Sequence, residues 1–95
     1  MDVQEIKIFK SDERGIIYDC DKVKFIARKK GSISADHVHD GLEVHYLFKG
    51  EIELTVGSET KIVKAPAKIT IQPNEYHRIL ALTDIEIIGD REGEE

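Results

Sequence analysis

The chain has 95 residues, of which 40% are hydrophobic and 35% are charged, and its formal net charge at pH 7 is −5. This length allows one modest core, so we expect a single domain over residues 1–95. The negative charge, with no basic stripe, argues against nucleic acid as a partner, and the lack of an apolar run of about 20 residues argues against a membrane span. Cys20 is the one cysteine and cannot form an internal disulfide, and the first residues show no export signal, so we expect the cytoplasm.

Apolar and polar residues alternate with a period of two along the chain, which predicts short β-strands. The apolar positions of these predicted strands are, in chain order, Ile6 and Ile8, Ile16 and Tyr18, Val23, Phe25 and Ala27, Ile52, Leu54 and Val56, Ile69 and Ile71, Ile79, and Ile85 and Ile87. Turn signals separate them, and no segment shows a sustained helical stripe. About ten short strands in so small a chain predict an all-β sandwich or barrel. The acidic tail, residues 90–95, is predicted to be frayed.

Two histidines in alternation are the first candidate ligands for a metal. On a strand, His37 and His39 point to the same face, roughly 7 Å apart, so their imidazoles can converge on one ion. The dipeptide Asp40-Gly41 is a turn signal and predicts that the chain reverses here. Glu43 is then expected beside the histidines across the strand ladder, where its carboxylate is a third ligand or a brace for the ligands.

A third imidazole, that of His77, comes from a later strand. It follows a turn at Pro73-Asn74, where Asn74 is predicted to take a left-handed backbone conformation. The set of His37, His39, Glu43 and His77 suits one divalent transition-metal ion per chain, with Mn, Fe, Ni, Zn and Cu all compatible.

The fourth histidine of the chain, His45, lies two residues beyond Glu43 and shares its strand parity. It is a candidate catalytic residue if it faces the interior as an acid–base group. A hydrogen-bonded interior histidine and an outward-facing one are the alternatives.

The spacing of these residues resembles the first signature of the cupin superfamily. Gly31 is followed after five residues by His37, after one by His39, after three by Glu43 and after six by Gly50, which matches every fixed position. In the second signature His77 aligns, whereas Pro66, Gln72, Asn74 and Ala81 stand at its glycine, proline, glycine and asparagine positions. The resemblance covers about residues 23–82.

The resemblance implies a small cupin-type β-barrel, a jelly-roll-like double-stranded β-helix, with the metal inside. It implies His37, His39, Glu43 and His77 as the metal ligands, a small-molecule ligand in the barrel, and a homodimer. Sugar isomerase or epimerase chemistry and dioxygenase chemistry are both represented in the superfamily.

The function expected from this resemblance is that of a metal-dependent enzyme acting on a small polar substrate. Three Tyr, three Phe and no Trp offer no stacking platform for a large aromatic ligand. The alternative is a small-molecule-binding module without catalysis, because fold and metal do not fix a reaction.

Overall fold

The computed structural model describes residues 1–38 and 40–90, and within them the chain folds entirely as strands, turns and loops. The described residues form ten strands: β1 (Lys7–Asp12), β2 (Gly15–Asp19), β3 (Val23–Arg28), β4 (Ile33–Val38), β5 (Glu43–Lys49), β6 (Glu51–Val56), β7 (Glu59–Lys64), β8 (Ala67–Ile71), β9 (Tyr76–Ala81) and β10 (Ile85–Asp90). The predicted all-β fold is confirmed.

The strands assemble into two antiparallel sheets. The six-stranded sheet has the order β1-β2-β3-β10-β5-β8, and the four-stranded sheet has the order β4-β9-β6-β7. Neighbours in both sheets include strands far apart in sequence, such as β10 between β3 and β5. The chain therefore passes repeatedly from one sheet to the other, as a jelly roll does.

One hydrophobic core lies between the sheets, because its buried residues come from both. The six-stranded sheet supplies Leu47, Ile69 and Ile87, among others, and the four-stranded sheet supplies Ile52 and Ile79. Burying each such side chain contributes roughly 1.5–3 kcal/mol. The period-two alternation seen in the sequence is thus the alternation between this core and the outer surfaces.

Gly50 joins β5 to β6 at a point where the two sheets come close. Its φ is 90°, a conformation that L side chains rarely adopt, and a Cβ atom there would overlap the carbonyl oxygen of Asp84. Only glycine fits, which explains in physical terms why the spacing pattern ends on this residue.

No helix in residues 1–38 and 40–90 has the length and apolar character needed to cross a membrane. The tail predicted to be frayed begins at Asp90, whose backbone ends β10 and pairs with Val23. The rest of that tail lies outside the described residues.

Candidate metal centre

His37 and His77 are direct partners on neighbouring strands of the four-stranded sheet. β4 carries His37, β9 carries His77, and the ladder pairs the two residues. Their rings meet edge to face, with centroids 4.8 Å apart at 87°. His77 is completely buried and His37 is half-buried. Both imidazoles therefore point into the interior.

A β-bulge at Ala35 turns His37 inward. Ser34 pairs with Ile79 and His37 pairs with His77, so β4 has two residues where β9 has one. Strict alternation from Ser34 would put His37 on the outer face, because the two positions differ by three. Ala35 has a φ of 53°, unusual for a residue with a Cβ, and the extra residue resets the parity.

Glu43 approaches from the opposite sheet, which corrects the sequence-based expectation. We expected a hairpin at Asp40-Gly41 with Glu43 across the ladder from the histidines. Instead β4 pairs with β9 while β5 pairs with β8 and β10, so Glu43 faces His37 and His77 across the interior. A turn dipeptide signals a change of direction, and it does not distinguish a hairpin from a connection between sheets.

The potential ligand atoms of His37, Glu43 and His77 all lie within 4.8 Å of one another. Glu43 is 1% exposed, and its Oε2 is 3.3 Å from His77 Nε2. Ligand atoms that sit about 2.1 Å from one ion are typically about 3 to 3.5 Å apart, so the 3.3 Å between Glu43 and His77 fits a shared metal. The fourth predicted ligand, His39, lies outside the described residues, and its role stays a prediction.

Backbone contacts orient the His77 ring for ligation. Its Nδ1 is 3.3 Å from the carbonyl oxygen of Glu75, which can only accept, so Nδ1 carries the proton in that hydrogen bond. In the neutral ring Nε2 then presents a lone pair toward Glu43 Oε2. A cation between these two acceptor atoms would contact both lone pairs, and two imidazoles with one carboxylate suit a divalent transition metal.

His45 lies beside this cluster, on the same face of β5 as Glu43. It is 3% exposed, and its Nε2 is 3.0 Å from Glu43 Oε1. Of the three placements that the sequence left open, the structure shows the hydrogen-bonded interior one. A catalytic role for His45 stays a prediction.

Asp36 and Tyr76 mark the outer side of the same two strands. The Tyr76 hydroxyl donates a hydrogen bond to the Asp36 carboxylate. This bond raises the pKa of Tyr76 above its ordinary value of 10.0, because it favours the protonated phenol, and burial acts in the same direction. The contact ties β4 to β9 directly behind the paired histidines.

Asn74 confirms the predicted left-handed position in the turn before β9, with a φ of 67°. Two further residues of the site escaped sequence reasoning. Ala35 gives no signal of its bulge, since alanine is ordinary in strands and helices alike. Gly89 of β10 lies against the His45 ring, and a single strand glycine does not reveal which side chain it accommodates.

Comparison with known proteins identifies the family. The cupin domain family matches residues 25–87, about two thirds of the chain. The chain belongs to the cupin family. The resemblance noted in the glycine and histidine spacing is thereby confirmed for this cupin. A search of curated proteins found no match.

Several solved structures share the fold of this cupin at low sequence identity. A RmlC-like cupin from Shewanella frigidimarina is 19% identical, with a TM-score of 0.73 over 90% of this chain and 81% of that one. The capsular polysaccharide assembling protein CapF of Staphylococcus aureus is 18% identical, with a TM-score of 0.77 over 93% of this chain and 30% of CapF.

A salicylate 1,2-dioxygenase mutant of Pseudoaminobacter salicylatoxidans, in complex with gentisate, is 15% identical. Its TM-score is 0.66 over 77% of this cupin and 19% of the dioxygenase. This cupin therefore spans less than a third of CapF and about a fifth of the dioxygenase. At these identities the likeness concerns the fold alone.

Proposed function

We propose that this cupin binds one divalent transition-metal ion per chain through His37, His39, Glu43 and His77. The observation that carries the proposal is the convergence of His37, Glu43 and His77 from both sheets, with their ligand atoms within 4.8 Å. The orientation of His77 supports it, because its Nε2 faces Glu43 Oε2. The inclusion of His39 rests on the family spacing.

The site is further proposed to be that of an enzyme acting on a small, oxygen-rich substrate, by isomerase- or epimerase-like or by dioxygenase-like chemistry. When bound, a divalent ion supplies Lewis-acid polarisation of a substrate oxygen. Two structural neighbours are a capsular polysaccharide assembling protein and a dioxygenase holding gentisate. Both names concern oxygen-rich molecules, which supports the choice of substrate class.

A non-catalytic binding module is the second candidate, and the surroundings of His45 favour it. This ring has Nε2 against Glu43 and Nδ1 against Gly89. A general acid or base must reach the substrate proton directly or through one water, whereas the His45 side chain is buried and 3% exposed. In this candidate function the metal binds a small-molecule ligand, and the ligand is released without chemical change.

Metal binding is tested by His77→Ala, with Arg78→Gln as the matched control on the same strand. Arg78 points to the outer face, 3.9 Å from Glu53. We expect His77→Ala to weaken the metal affinity by more than about 100-fold, since even residues behind the ligands commonly account for 10–100-fold. Arg78→Gln should bind like the parent. Equal affinity in His77→Ala would remove His77 from the site.

Enzyme and binding module are separated by following candidate substrates over time with the metal-loaded protein. Sugars and keto-acids are incubated with the parent and with His77→Ala, and product is measured by mass spectrometry. Product formed by the parent alone supports the enzyme. Saturable binding of an unchanged compound by the parent supports the module.

We propose as the partner a second copy of this cupin, packed on the outer face of the six-stranded sheet. One apolar row crosses five strands of this face, each residue paired with the next: Ile8, Tyr18, Phe25, Ile88 and Tyr46. Phe48 extends it, 59% exposed and stacked near Tyr46. On the outer face of the four-stranded sheet, the charged residue Glu53 interrupts the corresponding row of Ile33, Leu80 and Ile62.

The size of this apolar face suits a homodimer. The row crosses five strands spaced about 4.8 Å apart, so it extends roughly 20 Å across the sheet. Contiguous exposed apolar side chains mark interaction sites. A second copy presents a row of the same length and the same apolar chemistry.

A further inference from the structure

The two oxygens of Glu43 have different neighbours. Oε2 is 3.3 Å from His77 Nε2, in the group of converging ligand atoms. Oε1 is 3.0 Å from His45 Nε2, and both side chains are almost fully buried. Because Glu43 and His45 stand two residues apart on β5, they share one face of the strand and this contact is short-range.

The direction of this hydrogen bond follows from its acceptor. An ionised carboxylate can only accept, so the proton of the bond is on His45 Nε2. In the neutral ring Nδ1 then carries the lone pair. Nδ1 is buried and has no hydrogen-bond partner among the described residues. The ring is thus oriented by Glu43 on one side and by packing on the other.

Gly89 provides the packing surface for the second side of the ring. It is the ladder partner of His45 on β10. A Cβ atom at residue 89 would lie 2.6 Å from His45 Nδ1 and 3.0 Å from Cε1, closer than real Cβ atoms approach other atoms. Glycine is disfavoured within strands, and the close approach of the His45 ring explains why residue 89 is a glycine.

We propose that His45 and Gly89 position Glu43 as a metal ligand. His45 holds Oε1 by its Nε2 proton, which leaves Oε2 directed at the two imidazoles. Gly89 lets the His45 ring lie close enough to β10 to do so. His45 is then a positioning residue, acting on the metal through Glu43. This inference rests on the proposed metal site.

The first test compares Co²⁺ binding by the parent, His45→Gln and His45→Leu. The Gln amide keeps a donor near the place of Nε2, whereas Leu keeps the bulk and removes the donor. We expect His45→Leu to bind Co²⁺ about 10–100-fold more weakly and to shift its visible absorption spectrum, which reports the ligand oxygens. His45→Gln should restore most of both. Circular dichroism confirms that each variant is folded.

The second test asks whether Gly89 acts through His45. Gly89→Ala is made in the parent and in a His45→Ala background, where the ring that the new Cβ would meet is absent. We expect Gly89→Ala to weaken Co²⁺ binding in the parent background. In the His45→Ala background it should leave Co²⁺ binding unchanged, because the effects of coupled residues are not additive. If Gly89→Ala fails to fold in the parent background, recovery of folding in the His45→Ala background also shows that Gly89 acts through His45.

The outcomes separate this inference from the proposed function. A parent that takes up neither Co²⁺ nor any of Mn, Fe, Ni, Zn and Cu contradicts both. A parent that binds Co²⁺ while His45→Leu matches it in affinity and spectrum contradicts the positioning role alone. An equal effect of Gly89→Ala in both backgrounds contradicts its action through His45.

Discussion

Tyr76 shows how neighbouring residues on one strand serve different faces of this cupin. His77 points into the candidate metal centre, while Tyr76 before it lies on the outer surface and donates its hydrogen bond to Asp36. His37 follows Asp36 in the same way on the paired strand. The inner pair of imidazoles is therefore backed by an outer hydrogen bond that ties the same two strands together.

The hydrogen bond between Tyr76 and Asp36 predicts that the Tyr76 phenol loses its proton at a higher pH than an ordinary tyrosine. Its raised pKa means that the folded protein keeps the proton at pH values where the unfolded chain has lost it. The stabilising effect of the bond is then complete below about pH 10 and disappears as the pH rises through the raised pKa.

Tyrosine titration by NMR should show the raised pKa directly. We expect the Tyr76 signal to titrate above pH 10, and Tyr76→Phe should remove that signal. Asp36→Asn should move its midpoint down toward 10.0, because Asp36 is the main cause of the shift. A midpoint that Asp36→Asn leaves in place would contradict this explanation.

At the scale of the strand, alternation predicted the strands well because it is a local property. The core positions Ile52, Ile69 and Ile87 lie where the period-two pattern put them. Strand pairing is not local, and nothing in the segment from His37 to Glu43 says which sheet β5 joins. The sequence therefore indicated the residues of the site. It misplaced Glu43, because it assumed a ladder between β4 and β5, whereas β4 pairs with β9 and β5 pairs with β8 and β10.

The bulge in β4 lies further beyond sequence reasoning. His37 faces inward only because Ala35 adds a residue to its strand. The pairing of β4 with β9, which lies far away in sequence, holds this irregularity in place. The family spacing nonetheless indicated His37, since a fixed count of residues after Gly31 includes the bulge. Glycine and histidine spacing thus carried information that alternation alone could not.

Substitutions at Ala35 test whether the bulge turns the His37 side chain into the interior. Ala35→Gly should keep metal binding and raise the free energy of unfolding by up to about 1 kcal/mol, because glycine relieves the positive φ. Ala35→Val should lower it by about 1–3 kcal/mol and weaken metal binding, since a β-branched residue resists this conformation.

Ala27→Val, on the regular strand β3, is the matched control for Ala35→Val. Valine suits a regular strand, so we expect almost no change in stability or in metal binding. If Ala35→Val behaved like Ala27→Val, the bulge would not be what aims His37.

At the scale of the whole molecule, the two sheets differ in their outer faces while sharing one core. The four-stranded sheet supplies both described histidines of the candidate site, and the charged residue Glu53 interrupts the apolar row on its outer surface. The six-stranded sheet supplies Glu43 and carries the apolar row through Phe25 and Ile88 on its other side. The candidate metal centre lies between the sheets, and the proposed dimer contact lies behind one of them.

Sedimentation or light scattering tests the dimer. We expect the parent to have twice the 10.8 kDa mass of one chain. Tyr46→Glu should give the mass of a single chain, because it places a charge in the apolar face while Lys68 lies close enough to offset it in the monomer. Thr60→Glu, on the four-stranded sheet, is the control and should stay dimeric. A monomeric parent, or a dimeric Tyr46→Glu, would contradict this interface.

The metal content of the purified protein is the most direct measurement of the central claim, that His37, Glu43 and His77, together with His39, bind a divalent ion. Elemental analysis would be made after incubation with Mn, Fe, Ni, Zn and Cu salts and removal of unbound metal. We predict about one ion per chain for at least one of these metals near neutral pH. Occupancy should fall as the pH is lowered, because protons compete with the metal for the imidazole nitrogens. A protein that retains none of the five metals would contradict the claim.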